Sequence, residues 1–325
     1  MSEMNKLLLL ESLDQLLSYN VIGNLQYKNR YVGFSGELSF IQWYSINKPQ
    51  HHIFDGGYFV PITEKKTCFE DSIYFTVSAD NFDQYLPIYR YISKLRLKKY
   101  YFIQYDSSTP LNLWKEEDLI GTGRKLLVPD FKVMEFIPDR NEFIEVSLGD
   151  FISSYEKKEN YNPSNKVPES LRKEWLMKLE KFDESLIKQL YVQRLIFDGF
   201  LGFKIKRGIP SDIDCIIMND EGKLIFIEVK EKDLSKGKVK GFGMDIHRID
   251  ALAQLSTTTK LNVAYVVRHV RDQIRREFIE WLSISILDFK EKMDKNAIEG
   301  GTGMRSIHSY NPTYICDKRY FTILK

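Results

Sequence analysis

The stretch Ser211-Asp212-Ile213-Asp214-Cys215-Ile216-Ile217-Met218, followed after a short turn by Leu224-Ile225-Phe226-Ile227-Glu228-Val229-Lys230, says most about how this chain folds. Each segment contains an apolar run of the length of a β-strand, with charged residues at one end. Residues 219–222, Asn-Asp-Glu-Gly, lie between them and are typical of a tight turn. The pattern therefore predicts a β-hairpin.

Three charged side chains are expected to converge at the open end of this hairpin. Asp214 directly precedes the first apolar run, and Glu228 and Lys230 end the second. Because side chains alternate along a strand, Glu228 and Lys230 lie on one face and Val229 lies on the other. Two carboxylates beside an ammonium suit a hard cation. Asp212 is a rival first carboxylate on the same face as Asp214, which we prefer because it adjoins the apolar run.

The hairpin residues resemble those of the PD-(D/E)XK nuclease superfamily, which has the restriction-endonuclease-like fold. The resemblance covers roughly residues 169–267, less than half of the chain. It implies that Asp214 and Glu228 bind Mg²⁺, for which Mn²⁺ can substitute, with help from the main-chain carbonyl of Val229. It also implies that Lys230 orients the attacking water, so that Asp214, Glu228 and Lys230 are the catalytic residues.

The order of predicted elements around the hairpin supports this resemblance. Apolar residues recur at helical spacing from Trp175 to Gly199, where the glycine is expected to end the helix. A strand at 200–206, the hairpin, a helix at 244–255 and a buried strand at 261–267 follow. Helix, three strands, helix and strand is the order of the nuclease-like core. A further helix is predicted at 271–292.

The resemblance implies a function, although the family pattern is not complete. Its proline directly precedes the first acid, whereas Pro210 lies four residues before Asp214. We expect a Mg²⁺-dependent endonuclease that hydrolyses double-stranded DNA in restriction or phage defence, acting as a homodimer or with a partner protein. The alternatives are a repair or recombination nuclease, and a nucleic-acid-binding protein whose nuclease-like fold is catalytically silent.

Composition limits the remaining possibilities. The chain has 325 residues, of which 43% are hydrophobic and 28% charged, enough for a large core and two domains. A net charge of +2 excludes a global basic field, so any attraction to nucleic acid must be local. Three widely spaced cysteines and no long apolar run indicate a cytoplasmic protein without disulfides or a membrane span.

The fold class predicted from these patterns is α/β (α+β overall). Residues 1–154 are expected to form a β-rich recognition or regulatory domain, because short aromatic and β-branched runs such as 31–34, 38–44 and 72–77 are typical of strands. One helix is predicted at 81–97. Residues 155–168 are predicted to be a linker, and residues 169–325 the nuclease-like domain, with a mixed central sheet flanked by helices.

Two groups of basic residues are candidate contacts to a nucleic-acid backbone. The first follows the hairpin as a glycine-rich cationic loop and continues into the next helix: Lys232, Lys236, Lys238, Lys240 and Arg248. The second, Arg90, Lys94 and Arg96, is interleaved with tyrosines that could stack on bases or pack in the core. The tyrosines in question are Tyr89, Tyr91, Tyr100 and Tyr101.

Overall fold

The computed structural model describes residues 2–21, 23–63, 69–158, 167–272, 274–299 and 312–325. It has the predicted mixed α/β class, with parallel and antiparallel strand pairs and flanking helices. The chain divides into two compact units, Met1–Ser35 with Gly57–Asp212, and Gly36–Gly56 with Ile213–Lys325. This division does not fall at the expected linker 155–168, most of which lies outside the described residues.

The first unit starts with helices and continues into a mixed sheet. Its helices are α1 Ser2–Tyr19, α2 Asn24–Asn47, α3 Leu86–Ile92, α4 Leu148–Ser153, α5 Glu169–Met177, α6 Glu184–Arg194 and α7 Gly202–Lys204, with a π-helix at Leu195–Leu201. Its strands are β1 His52–Pro61, β2 Ser72–Ser78, β3 Lys99–Tyr105, β4 Lys115–Glu117, β5 Leu126–Val128, β6 Phe131–Ile137 and β7 Glu142–Val146. Both α2 and β1 run on into the second unit. The strand order is β1-β2-β3-β6-β7, in which only the β2–β3 pair is parallel.

The strands expected at 31–34 and 38–44 are wrong, since both segments lie in α2. Their aromatic composition suggested strands, but the buried positions Tyr27, Tyr31, Phe34 and Leu38 recur every three or four residues. That spacing is helical. The strand at 72–77 and the helical region at 81–97 are confirmed, the latter as α3 with short 3₁₀ turns on either side.

The second unit is built around the predicted hairpin. Its elements are β8 Ser211–Met218, β9 Leu224–Lys232, β10 Gly241–Asp245, α8 Ile246–Thr259, β11 Asn262–Val270, β12 Phe278–Ser285, α9 Ile286–Lys292, β13 Ile298–Glu299, β14 Pro312–Asp317 and β15 Thr322–Ile323. The main strand order is β15-β12-β11-β9-β8, in which β9 and β11 are parallel. Strands β10, β14 and β13 form a smaller antiparallel sheet.

Two glycines fix the position of the hairpin. Gly222 closes the turn with φ +74°, a left-handed conformation that glycine adopts without strain, and the Asn219 side chain accepts hydrogen bonds from the turn. Gly56 lies against β8, where a Cβ atom would meet the carbonyl oxygen of Ile213 at 1.7 Å. Glycine there lets β1 approach β8 just ahead of Asp214.

A hydrophobic cluster supports one face of the second unit's sheet. Phe40 in the second half of α2 packs with alternating residues of the hairpin and with Trp281, whose ring centroid lies 5.3 Å from that of Phe40. Ile227 and Val229 belong to this cluster. Because side chains alternate, their neighbours Glu228 and Lys230 lie on the opposite face of β9. The apolar core thus determines which face carries the charged residues.

Two further predictions in the C-terminal half are wrong. Residues 200–206 do not form a strand, because the π-helix passes through Gly199 and leads into α7. Most of 271–292 is not a helix, since β12 occupies Phe278–Ser285 and pairs with β11. The helix expected at 244–255 and the strand expected at 261–267 are confirmed as α8 and β11. The loop expected at 300–303 lies outside the described residues.

No helix among the described residues has both the length and the apolar character needed to cross a membrane.

Candidate metal centre

The hairpin brings Asp214 and Glu228 together. The strand register pairs Cys215 with Ile227, and one further step along it sets Asp214 opposite Glu228. Directly opposed residues of an antiparallel pair point to the same face. Asp214 Oδ2 accepts a hydrogen bond from the Val229 main-chain N–H at 2.6 Å, which fixes its carboxylate at the end of β8. This is the convergence expected from the sequence.

Asp212 joins these two residues in an acidic cluster. Asp212, Asp214 and Glu228 each offer a carboxylate oxygen, and these oxygens all lie within 4.8 Å of one another. Asp212 is two residues before Asp214 on β8, so alternation places both on one face. The two aspartates that the sequence presented as rivals therefore lie in the same cluster. An all-oxygen set of this kind is suited to Mg²⁺, Mn²⁺ or Ca²⁺.

Glu228 is completely buried and is held by two cations. Lys230 Nζ lies 2.7 Å from Oε1, and Arg248 donates from Nε to Oε1 at 3.0 Å and from a second guanidinium nitrogen to Oε2. Burial alone would raise the pKa of Glu228, but Arg248 and Lys230 outweigh it, so that the pKa is lowered. Glu228 is therefore a carboxylate at neutral pH in spite of its burial.

Lys230 reaches both acids of the hairpin. Its ammonium nitrogen lies 3.9 Å from Asp214 Oδ2 as well as close to Glu228, and 38% of its side chain is exposed. An ammonium that contacts the acids and also faces solvent can meet a substrate oxyanion. Tyr265 lies opposite Glu228 on β11, and burial raises the pKa of its hydroxyl. The site is thus walled by a neutral aromatic ring on the β11 side.

Helix α8 delivers Arg248 to the cluster. Asp245 caps the helix by accepting a hydrogen bond from the Arg248 main-chain N–H at 3.0 Å, which fixes the first turn that carries Arg248. Arg248 was predicted to contact nucleic acid, but its guanidinium binds Glu228 and only 13% of the side chain is exposed. Sequence spacing could not reveal this pair, because its partners are brought together only by the packing of α8.

The predicted cationic loop begins in the sheet and continues along the surface. Lys232 is half-buried at the end of β9, where burial lowers its pKa and Lys230 acts in the same direction. Lys236, Lys238 and Lys240 are exposed. Lys240 folds back on its own loop, with Nζ donating to the carbonyls of Ser235 and Lys236. The exposed lysines lie on the chain segment that directly follows the acidic cluster.

The second basic group belongs to the first unit. Arg90, Lys94 and Arg96 are exposed, with Arg90 donating to Asn141 and Lys94 lying 4.3 Å from the ring centroid of Tyr91. Of the tyrosines interleaved with them, Tyr89, Tyr100 and Tyr101 are buried in the core and cannot stack on bases. Base stacking by these three tyrosines is excluded, and contact with phosphates through the three exposed cations stays a prediction.

No family model, curated protein or solved structure matches this chain. The geometry of the hairpin therefore carries the functional argument.

Proposed function

We propose that this chain is a metal-dependent endonuclease of the PD-(D/E)XK superfamily and that it hydrolyses phosphodiester bonds of DNA. The observation that carries the proposal is the meeting of three carboxylates and the Lys230 ammonium at the end of one hairpin. Burying like charges this closely is costly unless cations accompany them. Restriction or phage defence is the role we favour, with double-stranded DNA as substrate.

The acidic cluster fits a divalent cation. Magnesium–oxygen bonds of about 2.1 Å allow ligand oxygens to be up to about 4.2 Å apart, and the larger Ca²⁺ allows about 5 Å. The 4.8 Å limit on the cluster is compatible with either ion after small rotamer changes. Asp212, Asp214 and Glu228 would hold the ion, with the Val229 carbonyl as a further ligand. A bound Mg²⁺ would polarise the scissile phosphate and acidify a water molecule.

Charge balance supports the same substrate class. Three carboxylates, Lys230 and Arg248 sum to a formal charge of −1, which a divalent cation changes to +1. A phosphodiester carries one negative charge and would neutralise the site. In this arrangement Arg248 holds Glu228 in position, while the half-exposed Lys230 stabilises negative charge that grows on the reacting phosphate. Each residue thus has a role that its contacts permit.

One observation favours a second candidate function. Both Glu228 oxygens already bind cationic side chains, so that Arg248 and Lys230 satisfy this carboxylate without a metal. That arrangement is compatible with a nucleic-acid-binding protein whose nuclease-like fold is catalytically silent. Nicking of a supercoiled plasmid in Mg²⁺ distinguishes the two functions, because the silent protein would shift the plasmid in a gel and never cut it.

We expect cleavage to require Mg²⁺ or Mn²⁺. Ca²⁺ should support DNA binding with little or no cleavage, because its larger, more flexible coordination shell activates water poorly. The measurement is plasmid nicking with each ion and with excess chelator, beside a gel-shift assay in Ca²⁺. Undiminished cleavage in chelator would contradict the role assigned to the acidic cluster.

We also expect Arg90→Ala/Lys94→Ala/Arg96→Ala to weaken DNA binding and flatten its salt dependence. Each lost phosphate contact releases about one counterion fewer, which reduces the slope of log affinity against log salt by about 0.9. Lys115→Ala/Lys125→Ala/Lys132→Ala is the control, since it removes three exposed cations that pair with acids elsewhere in the first unit. Equal slopes for both variants would mean that Arg90, Lys94 and Arg96 do not contact the DNA phosphates.

A further inference from the structure

A cluster of arginines surrounds one buried carboxylate in the first unit. The Asp198 side chain is completely buried in the π-helix. Its Oδ2 accepts from Arg194 Nε at 2.6 Å, and its Oδ1 accepts from Arg30 at 2.9 Å and Asn20 at 2.8 Å. Both Asp198 oxygens are therefore engaged. π-Helical turns are rare and often occur at functional sites.

Arg207 adds a third guanidinium to this cluster. It stacks on Phe197 with its guanidinium carbon 4.1 Å from the ring centroid, and Arg194 lies 4.6 Å from the same centroid. Within the described part of the chain, the Arg207 guanidinium makes no hydrogen bond and no ion pair. Burial lowers its pKa to about 10, Asp198 opposes the shift, and Arg30 and Arg194 add to it. The single Asp198 carboxylate does not balance three guanidinium charges.

Tyr155 lies opposite Arg207 on a short antiparallel ribbon. Lys157 bridges to Ile205, and the Lys206 main-chain N–H donates to the Glu156 carbonyl. The next step of this register pairs residue 155 with residue 207. The side chains of Glu156 and Lys206 form an ion pair at 2.6 Å on one face. Alternation therefore turns Tyr155 and Arg207 to the other face.

The Tyr155 hydroxyl is a buried donor without an acceptor. The residue is 4% exposed, and its oxygen has no hydrogen-bond partner in the described residues. Burial raises its pKa well above the ordinary value, so the hydroxyl keeps its proton at neutral pH. A buried polar group without a partner is rare in folded proteins, so this hydroxyl is suited to bind a ligand. Here two facing side chains, Tyr155 and Arg207, both offer hydrogen-bond donors.

We propose that Tyr155 and Arg207 form an anion site that binds a phosphate group, with Arg30 and Arg194 supplying additional positive potential. A guanidinium fork binds two oxygens of a phosphate, and a tetrahedral anion has a further oxygen for the Tyr155 hydroxyl, whereas a carboxylate has only two. Arg207 is half-buried, so that a ligand can reach it from solvent. The phosphate belongs either to a free ion or nucleotide, or to a nucleic-acid backbone.

The test is isothermal titration of the full chain with inorganic phosphate and, separately, with a short DNA duplex, both in chelator without metal. Arg207→Ala should lower the phosphate affinity about tenfold or more, since a hydrogen bond to a charged group contributes that much. Arg207→Lys keeps the charge but loses the fork and should also weaken binding. Tyr155→Phe removes only the unpaired hydroxyl, so it should weaken phosphate binding several-fold without destabilising the fold.

Lys206→Ala is the matched control, because it removes one positive charge from the neighbouring residue on the opposite face. It should leave the phosphate affinity within about twofold of wild type, because it removes none of the proposed hydrogen bonds. A loss of duplex affinity in Arg207→Ala, with competition by phosphate, identifies a backbone phosphate as the ligand. Unchanged duplex binding identifies a free phosphate or nucleotide.

The proposal is overturned if wild type binds neither phosphate nor the duplex, or if the Arg207 and Tyr155 variants bind phosphate as tightly as wild type. Because cleavage is not measured and metal is absent, this outcome is independent of the proposed endonuclease activity. Urea unfolding of each variant accompanies the titrations, and Tyr155→Phe decides the matter if Arg207→Ala does not fold.

Discussion

Substituting Lys230 by alanine is expected to lower the rate of DNA cleavage by at least about 10²–10³-fold, the loss associated with removing one group that stabilises transition-state charge. The Lys230 ammonium contacts both Glu228 and Asp214, and more than a third of the side chain faces solvent. Its removal should leave the fold and DNA affinity close to wild type. The measurement is plasmid nicking in Mg²⁺ under single-turnover conditions, beside a gel-shift assay in Ca²⁺.

Lys223→Ala is the control for this experiment. Lys223 lies on the same hairpin, directly before β9, and its exposed side chain pairs only with the exposed Glu221 among the ion pairs of the described residues. The Lys223→Ala variant should cleave DNA at the wild-type rate. Near wild-type turnover in Lys230→Ala would mean that this hairpin is not the catalytic site, whatever the effect of metal removal.

The two acids should have equally large effects on cleavage but different effects on stability. Asp214→Ala and Glu228→Ala each remove a proposed metal ligand, so both should abolish activity. Glu228→Ala also removes the buried carboxylate that pairs with Arg248 and Lys230, which is destabilising. Glu228→Gln keeps the volume and one acceptor oxygen, and is therefore the cleaner test of chemistry.

The hairpin could be predicted from the sequence because its signals are local. The apolar runs, the turn at Asn219 to Gly222 and the period of two together determine which side chains share a face. These rules placed Asp214, Glu228 and Lys230 together, and they also put Asp212 on the same face. They could not decide between the two aspartates, because the sequence does not show how far the carboxylates of β8 extend toward β9.

Predictions failed where distant contacts decide the structure. The segment around Phe278, predicted to be helical, forms β12 by pairing with β11. In α2, aromatic composition suggested strands, whereas the spacing of Tyr27, Tyr31 and Phe34 is helical. Arg248 and Glu228 are 20 residues apart and meet only because the fold brings the first turn of α8 close to Glu228. No local sequence motif indicates that two such residues form an ion pair.

The Asp198 cluster joins residues that lie farther apart in the sequence than those of the other arrangements. Arg30 and Asp198 are 168 residues apart in sequence, and the π-helix that carries Asp198 runs through Gly199, the residue expected to end the helix. Glycine tolerates helix interiors at a modest cost, so its presence alone does not end a helix. Here tertiary packing continues the helical turn and places Asp198 between Arg194 and Arg30.

Asp198→Asn is expected to destabilise the chain by about 3–5 kcal/mol, the range for breaking a buried ion pair by removing one partner. The substitution keeps the side-chain volume but removes the ion-pair partner of Arg194, which is itself only 10% exposed. The measurement is urea unfolding followed by far-UV circular dichroism. Asp130→Asn is the control, because Asp130 and Lys115 form an exposed pair that solvent screens and that should contribute little to stability.

The contribution of Asp198 to the free energy of unfolding is also expected to depend on pH. Burial alone would raise the pKa of Asp198, but Arg194, Arg30 and Arg207 outweigh it and hold the pKa below its ordinary value. A carboxyl with a lowered pKa in the folded state stabilises the protein above the unfolded value of about 3.9, and this contribution is lost as the pH falls through the folded pKa. The stability difference between wild type and Asp198→Asn should therefore be full at pH 7 and shrink below about pH 4. A difference that is equally large at pH 7 and at pH 2 would mean that side-chain packing, and not charge, accounts for the effect.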